Sequence, residues 1–144
     1  MRPLVILQAR LSSKRLPYKV LMLINKLPII EIIYRRIKSK NFKIIVATSN
    51  NKTDDLLCSF LKSKNIPYYR GSLNNVKLRF LNICKKYSDK KLVIRLTADN
   101  IFPDKNLINE MIIFFIKNKK KYLYINSKKK KNSLWSFSRI IQSW

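Results

Sequence analysis

Positively charged side chains follow directly on the first apolar stretch of the chain, residues 4–7. The side chains of this loop that can hold an anion are Arg10, Ser12, Ser13, Lys14, Arg15 and Lys19. The apolar stretch is short, rich in β-formers and bounded by Pro3 and Gln8, which predicts a buried strand. Ligands of open α/β sheets bind beyond the carboxyl ends of the strands, so we expect this loop at a ligand site. Its cations, hydroxyls and backbone N–H groups suit a triphosphate.

A carboxylate follows another apolar stretch, residues 92–96. Asp99 comes just after Thr97, so its side chain is expected at the carboxyl end of a strand. Mg²⁺ is typically held by one or two carboxylates together with phosphate oxygens. Asp104 lies before an amphipathic stretch and is better suited to capping a helix. The sequence therefore predicts Asp99 as the metal ligand.

Strand and helix patterns alternate along the chain. Apolar runs predict strands over residues 4–7, 43–47, 67–70, 91–96 and 122–125, and helical spacing predicts helices over 29–37, 53–64, 74–87 and 104–118. Thr53 is the expected N-cap of the second helix. This order predicts an α/β fold with a mostly parallel sheet and helices on both faces. The loops after the first, third and fourth strands are then expected at one edge of the sheet.

Gly71 is the only glycine in the chain. Within the Arg70-Gly71-Ser72 turn it indicates a positive φ angle or the close approach of a ligand. An ordinary turn from strand to helix would require the same residue.

The 144 residues carry 32 Lys and Arg against 7 Asp and Glu, for a net charge of +25. The length predicts one small domain with one core, and 47% hydrophobic content argues against intrinsic disorder. Such a charge would attract any polyanion. However, the lysines are spread over every segment, which favours the codon usage of an AT-rich genome over a dedicated surface. A specific nucleic-acid partner is therefore not expected, and a basic nucleic-acid-binding α/β protein stays an alternative.

Several classes of site are excluded by composition. The chain has no histidine, which excludes a Ser-His-Asp triad, a histidine-activated cysteine and the usual zinc sites. Cys58 and Cys84 lie in helical patterns and are predicted to be buried, reduced thiols. No signal peptide pattern is present, and the apolar run at residues 111–116 is too short to span a bilayer. We therefore expect a cytoplasmic protein.

The pattern Q-A-R-x-x-S-x-R-L-P-x-K at residues 8–19 resembles the N-terminal signature of sugar-nucleotide cytidylyltransferases. The spore-coat polysaccharide protein F-like and 3-deoxy-manno-octulosonate branches are the most similar, and acylneuraminate cytidylyltransferases are more distant. Blocks at residues 27–36, 44–51, 69–79 and 93–100 follow in the family's order. The resemblance implies a three-layer Rossmann-like nucleotidyltransferase fold, and transfer of CMP from CTP to a sugar, with diphosphate as the second product.

The same resemblance implies the roles of individual residues. Arg10, Arg15 and Lys19 would stabilise charge on the phosphates, and Asp99 would bind Mg²⁺. The implied nucleotide-binding residues are Gln8, Ala9, Arg10, Ser12, Ser13, Arg15, Lys19, Thr48, Ser49, Arg70, Gly71, Ser72 and Asn75. Lys14 stands where the family usually has another residue and is left out. The departures from the family pattern are Ser12, Tyr18 and Ala98 in place of glycines, and Asn75 in place of an acidic residue.

The family pattern stops before a run of four lysines at residues 128–131. We expect a nucleotide-binding domain over residues 1–126 and a basic, disordered or frameshifted tail over 127–144. When the codons of the tail are read one base ahead, they can encode a segment close to the P-x-G-L-x-V-E-x-F of relatives. This favours a frameshifted or truncated gene product. Relatives continue with the sugar site and often a homodimer interface, both expected to be missing here. The alternatives are a non-catalytic nucleotide-binding fragment and a tail that touches a membrane or a partner.

Overall fold

The computed structural model describes residues 3–13, 15–87 and 92–118, and the backbone of residues 122–126 and 138–143. Lys14 and the lysine run at residues 128–131 lie outside the described residues. The strands are β1 (Leu4–Gln8), β2 (Leu23–Ile24), β3 (Leu27–Pro28), β4 (Lys43–Ser49), β5 (Tyr68–Gly71), β6 (Leu92–Thr97), β7 (Tyr122–Asn126) and β8 (Ser138–Ser143). The helices are α1 (Ile29–Ile37), α2 (Asp55–Ser63), α3 (Val76–Tyr87) and α4 (Lys105–Lys117), with 3₁₀ turns at Lys19–Leu21 and Lys52–Asp54.

Six strands form one sheet in the order β5-β4-β1-β6-β8-β7. The first four are parallel, and β8 is antiparallel to both of its neighbours. β1 lies at the centre of the parallel part, where Gln8 is in register with Ala47 of β4 and Thr97 of β6. Its nearly continuous apolar sequence is typical of a strand covered on both faces.

The two faces of the sheet are covered by different helices. Val5 and Leu7 of β1 belong to the core under α1, α2 and α4, whereas Leu4 and Ile6 belong to the core under α3. This division follows from the alternation of side chains along a strand. The predicted α/β fold, with a mostly parallel sheet and a helix layer on each face, is confirmed.

β8 is the main difference from the sequence prediction, because residues 138–143 belong to the predicted tail. β8 lies between β6 and β7 in the sheet, so the predicted strand near residues 122–125 exists but lies at the far edge. Its stretch S-R-I-I-Q-S has only two β-branched residues and no family pattern, so local sequence did not indicate a strand.

Two local features also differ. Thr53 is not the N-cap of α2: Asp54 holds that position, and Asn51 caps the preceding 3₁₀ turn by accepting a hydrogen bond from the Thr53 N–H at 2.9 Å. The hairpin of β2 and β3 was not predicted, and its two turn residues, Asn25 and Lys26, both have positive φ. Asp104 does cap α4, accepting from the Asn106 N–H at 2.7 Å. Among the described helices, none is long and apolar enough to cross a membrane.

Candidate functional site

The loop after β1 is closed around Leu11. The Leu11 side chain is buried, and its N–H donates to Oδ1 of Asp54 at 2.7 Å. Its carbonyl oxygen accepts from the N–H groups of Ser13 and Tyr18 at 2.9 and 3.0 Å. The loop is therefore held from its base, and the exposed side chains of Arg10 and Arg15 are left on the outside.

An open cleft of about 470 Å³ lies at the carboxyl edge of the sheet, between the loops after β1 and β6. It is lined by Gln8, Ala9, Arg10, Ser13, Arg15, Leu16, Lys19, Val20, Thr97, Ala98 and Asp99. The two loops meet because β1 and β6 are neighbours that end in register. The cleft thus brings together the three cations predicted to be catalytic and the carboxylate predicted to bind metal.

A direct contact crosses this cleft. The Lys19 ammonium group donates to the backbone carbonyl of Asp99 at 3.0 Å. Asp99 lies in a turn that is closed by a 3.4 Å bond from the Asn100 N–H to the Thr97 carbonyl. Ala98 in this turn does not have a positive φ angle. Alanine in place of the family's glycine therefore requires no left-handed backbone conformation.

Thr48 and Ser49 do not line the cleft. Both are fully buried at the end of β4, and both hydroxyls donate to Oδ2 of Asp54, from Thr48 at 3.0 Å. The sequence predicted that both bind the nucleotide, whereas in the structure their hydroxyls are bonded to Asp54 beneath the loop. Ser12 also lies off the cleft, and its hydroxyl oxygen is buried with no hydrogen-bond partner among the described residues.

Arg70 connects β5 to the turn after β4. Its guanidinium donates to the carbonyl oxygens of Ser49 and Asn51, both at 3.0 Å, and pairs with the Asp55 carboxylate at 2.7 Å. The hydrogen bond with Asp55 raises the pKa of Arg70. Arg70 is thus occupied within the protein, away from the cleft.

A second groove lies beside Arg70 and is lined by Asn50, Asn51, Lys52, Ser72, Leu73 and Asn74. Of the predicted nucleotide contacts, only Ser72 faces it. Asn75 instead accepts a hydrogen bond from the Leu78 N–H at 2.8 Å and caps the start of α3.

The structure corrects the interpretation that Gly71 is needed for a positive φ angle. Its φ is not positive, so a left-handed backbone does not explain the glycine. A Cβ atom at this position would lie 2.8 Å from Cγ of Arg79 and 3.1 Å from Cε1 of Tyr69. The glycine therefore makes room for the Arg79 side chain.

The sequence profile of the cytidylyltransferase family matches residues 4–137. The chain belongs to the cytidylyltransferase family. It is 33% identical over 128 residues to the spore coat polysaccharide biosynthesis protein SpsF of Bacillus subtilis, covering 85% of this chain and 53% of that protein. It is 30% identical over 125 residues to the 3-deoxy-manno-octulosonate cytidylyltransferase of Fusobacterium nucleatum, covering 83% of this chain and 48% of that protein.

The fold of the chain is also found in a solved structure, a cytidylyltransferase from Leptospira borgpetersenii. The TM-score is 0.85 at 24% identity, covering 99% of this chain and 61% of the other. The family and the nucleotidyltransferase fold implied by the loop pattern are thus confirmed. The chain spans about half the length of the two sequence relatives that it matches.

Two buried charged residues, Asp54 and Arg79, were not predicted from the sequence. Asp54 lies within the helix predicted over residues 53–64, yet it is fully buried and holds the loop through Leu11. Arg79 is 1% exposed, donates to the Ser72 carbonyl at 2.7 Å, and has an Nε without a partner among the described residues. Burial, and then the nearby Arg10, lowers the pKa of Arg79. Arg79 lies four residues before the buried Ile83 and therefore on the same face of α3. This spacing was the sequence signal that could have indicated the burial of Arg79.

Arg95 is a second guanidinium near the site, half-buried in β6. It donates to the Gln8 side-chain oxygen at 3.0 Å and lies 5.5 Å from the centre of the Phe80 ring. Its Nε has no partner among the described residues. Arg95 thus orients Gln8, which lines the cleft.

The donor set at the cleft fits Mg²⁺ held largely by a substrate. The described residues contain no group of three or more His, Cys, Asp or Glu that could form a metal cage. One carboxylate, Asp99, faces the cleft, and carboxylate oxygen is a ligand that Mg²⁺ prefers. An ion here would complete its shell with phosphate oxygens and water.

Proposed function

We propose that this chain binds CTP in the cleft and serves cytidylyl transfer to a sugar. The observation that supports this most directly is the cleft itself, where Arg10, Arg15 and Lys19 surround one space with Asp99. Guanidinium groups bind phosphate oxygens through paired hydrogen bonds, and an ammonium group binds them as a point charge. The family membership supports the same nucleotide.

The reaction would need no nucleophilic side chain. A sugar hydroxyl attacks the α-phosphorus of CTP, a new P–O bond forms, the bond to the bridging oxygen breaks, and diphosphate leaves while the hydroxyl proton passes to water. The three cations would bind and orient the triphosphate and stabilise the charge that develops on it. Asp99 would hold Mg²⁺, which when bound supplies further neutralisation of phosphate charge.

Six of the predicted nucleotide contacts that lie outside the cleft have three kinds of role in this proposal. Ser72 faces the second groove, where its hydroxyl accepts from the Asn75 N–H at 3.0 Å and could donate its own proton to the nucleoside part of CTP. Thr48, Ser49, Arg70 and Asn75 act on the shape of the site, because their side chains are bonded within the protein. Gly71 contributes to the shape of the site because the missing Cβ leaves room for the Arg79 side chain.

The acceptor is proposed to be an acidic or related sugar destined for a surface polysaccharide. The names of the two sequence relatives, a spore coat polysaccharide protein and a 3-deoxy-manno-octulosonate cytidylyltransferase, support this class. We also propose a cytoplasmic location. Because the chain spans about half of these relatives, CTP binding and turnover are separate parts of the proposal.

Calorimetric titration of the chain with CTP and Mg²⁺ tests the binding. ATP and a short oligonucleotide serve as competitors, each at low and high salt, because a net charge of +25 attracts any polyanion. We expect CTP to be preferred at both salt concentrations, and Asp99→Asn to weaken the Mg²⁺-dependent part. The exposed helix cap Asp104→Asn is the matched control. Tight, steeply salt-dependent oligonucleotide binding without a preference for CTP would instead favour a nucleic-acid-binding protein.

A further inference from the structure

The Asp54 carboxylate joins two elements of the site while being fully buried. Oδ1 accepts from the Leu11 N–H at 2.7 Å, at the start of the loop that carries the cations. Oδ2 accepts from the Ser49 N–H at 3.1 Å, the Thr48 hydroxyl at 3.0 Å and the Ser49 hydroxyl. One side chain thus ties the loop after β1 to the end of β4.

The chemistry of these four donors requires a carboxylate. A hydroxyl can rotate to donate or accept, but a backbone N–H can only donate. Because each oxygen of Asp54 faces one backbone N–H, an asparagine in either orientation would direct its NH₂ group at a donor. A buried charge is tolerated when its hydrogen-bonding capacity is satisfied, as it is here.

The position of Arg10 depends on this arrangement. Arg10 lies between two anchored residues, since the Ala9 N–H donates to the Ala47 carbonyl at 3.0 Å and the Leu11 N–H donates to Asp54. The first anchor continues the pairing of β1 with β4, and the second is the side chain of Asp54. Replacement of Asp54 would remove the hydrogen bond that anchors the Leu11 N–H, next to Arg10 in the loop.

We propose that Asp54 is a positioning residue, which fixes the direction in which Arg10 enters the cleft and thereby sets the affinity for the phosphate chain of the nucleotide. This inference rests on the proposed function. Asp54 does not contact the ligand, because it lies beneath the loop and is fully buried.

Binding of Asp54→Asn to inorganic triphosphate, CTP and cytidine tests the proposal, with Asp104→Asn as the control that removes the same charge from an exposed cap. We expect Asp54→Asn to lose about 10-fold to 100-fold in affinity for triphosphate and CTP, and much less for cytidine. A residue with only a structural role would lower the melting temperature and leave the ratio of triphosphate to cytidine affinity unchanged, and that result would overturn the proposal.

The outcomes separate this proposal from the proposed function. If the wild-type chain binds triphosphate without preferring CTP, the proposed function fails, while the comparison of Asp54→Asn with Asp104→Asn still decides the role of Asp54. If Asp54→Asn does not fold, or the wild-type chain binds neither ligand, amide hydrogen exchange of the wild-type chain decides. The Leu11 amide should then exchange far more slowly than the Leu16 amide. The Leu16 N–H donates to the exposed Ser13 hydroxyl over 3.4 Å, whereas the Leu11 N–H donates to buried Asp54 at 2.7 Å. Equal exchange at the two amides would overturn the proposal.

Discussion

The Lys19 ammonium group lies 3.0 Å from the backbone carbonyl oxygen of Asp99, and this hydrogen bond connects the two loops that form the cleft. A lysine has three N–H donors, so two remain for phosphate oxygens. The contact also orients the turn that contains Asp99, and Asp99 lines the same cleft. Lys19 is therefore both a phosphate ligand in our proposal and a link between the two loops.

Replacing Lys19 should weaken nucleotide binding. A hydrogen bond to a charged group contributes about 1.5–3 kcal/mol, so we expect Lys19→Met to lower CTP affinity by roughly 10-fold to 100-fold. Lys62→Met removes the same charge from an exposed position on α2 and is the control. Titration calorimetry of both variants measures the difference, and an equal loss in the two would show that only the overall charge matters.

Gly71→Ala should destabilise the fold through Arg79. The new Cβ would approach Cγ of Arg79 to 2.8 Å, and Arg79 is 1% exposed with its guanidinium bonded to the Ser72 carbonyl at 2.7 Å. Overpacking of this kind costs about 1–3 kcal/mol, which exceeds the roughly 0.4–1 kcal/mol that alanine gains by restricting the unfolded chain.

A double-mutant cycle in urea tests that cause. In an Arg79→Ala background the 2.8 Å contact with Cγ is removed, while the 3.1 Å contact with Cε1 of Tyr69 remains, so Gly71→Ala should cost less there than in the wild type. Additive effects of the two substitutions would mean that the glycine is required for another reason.

The elements were predictable where local periodicity decided them. The apolar run of β1, the helical spacing of α1 and the Asp104 cap of α4 all depend on neighbours within a few residues. The grouping of Arg10 with Asp99 was also predictable, because parallel strands end at one edge of the sheet.

The roles of Asp54 and Gly71 were not predictable in this way. Asp54 resembles an ordinary acidic residue at a helix start, and its partner Leu11 is 43 residues away. Gly71 is explained by a side chain eight positions later, on another element. Such roles are set by tertiary contacts, which a single sequence does not contain.

The turn of the β2–β3 hairpin offers a stabilising substitution. Asn25 and Lys26 have φ angles of 49° and 65°, as a two-residue turn of type I′ requires. A left-handed backbone costs a residue with a Cβ roughly 1–2 kcal/mol, so we expect Lys26→Gly to raise the free energy of unfolding by a few tenths to about 1 kcal/mol after the entropic cost of glycine. Lys26→Ala keeps the Cβ and should give no gain. Urea denaturation measures both, and equal stability of the two variants would contradict this interpretation of the turn.

The stability of the chain should fall at alkaline pH because of Cys58. Burial raises the pKa of this thiol from its ordinary value, with Arg70 opposing the shift and Asp54 and Asp55 adding to it. In the window between the ordinary pKa, about 8.5, and the raised one, the unfolded chain loses the thiol proton while the folded chain retains it. The free energy of unfolding must then decrease as pH rises through this window.

Cys58→Ala removes that contribution, so above the ordinary pKa of a thiol its stability should decline less steeply with pH than that of the wild type. The measurement is urea denaturation at several pH values, and the comparison of slopes cancels the constant cost of the smaller side chain. Cys84→Ala is the matched variant, because burial raises the pKa of that half-buried thiol as well and predicts the same sign. Parallel stability curves for Cys58→Ala and the wild type would show that the Cys58 thiol ionises equally in the folded and unfolded chains.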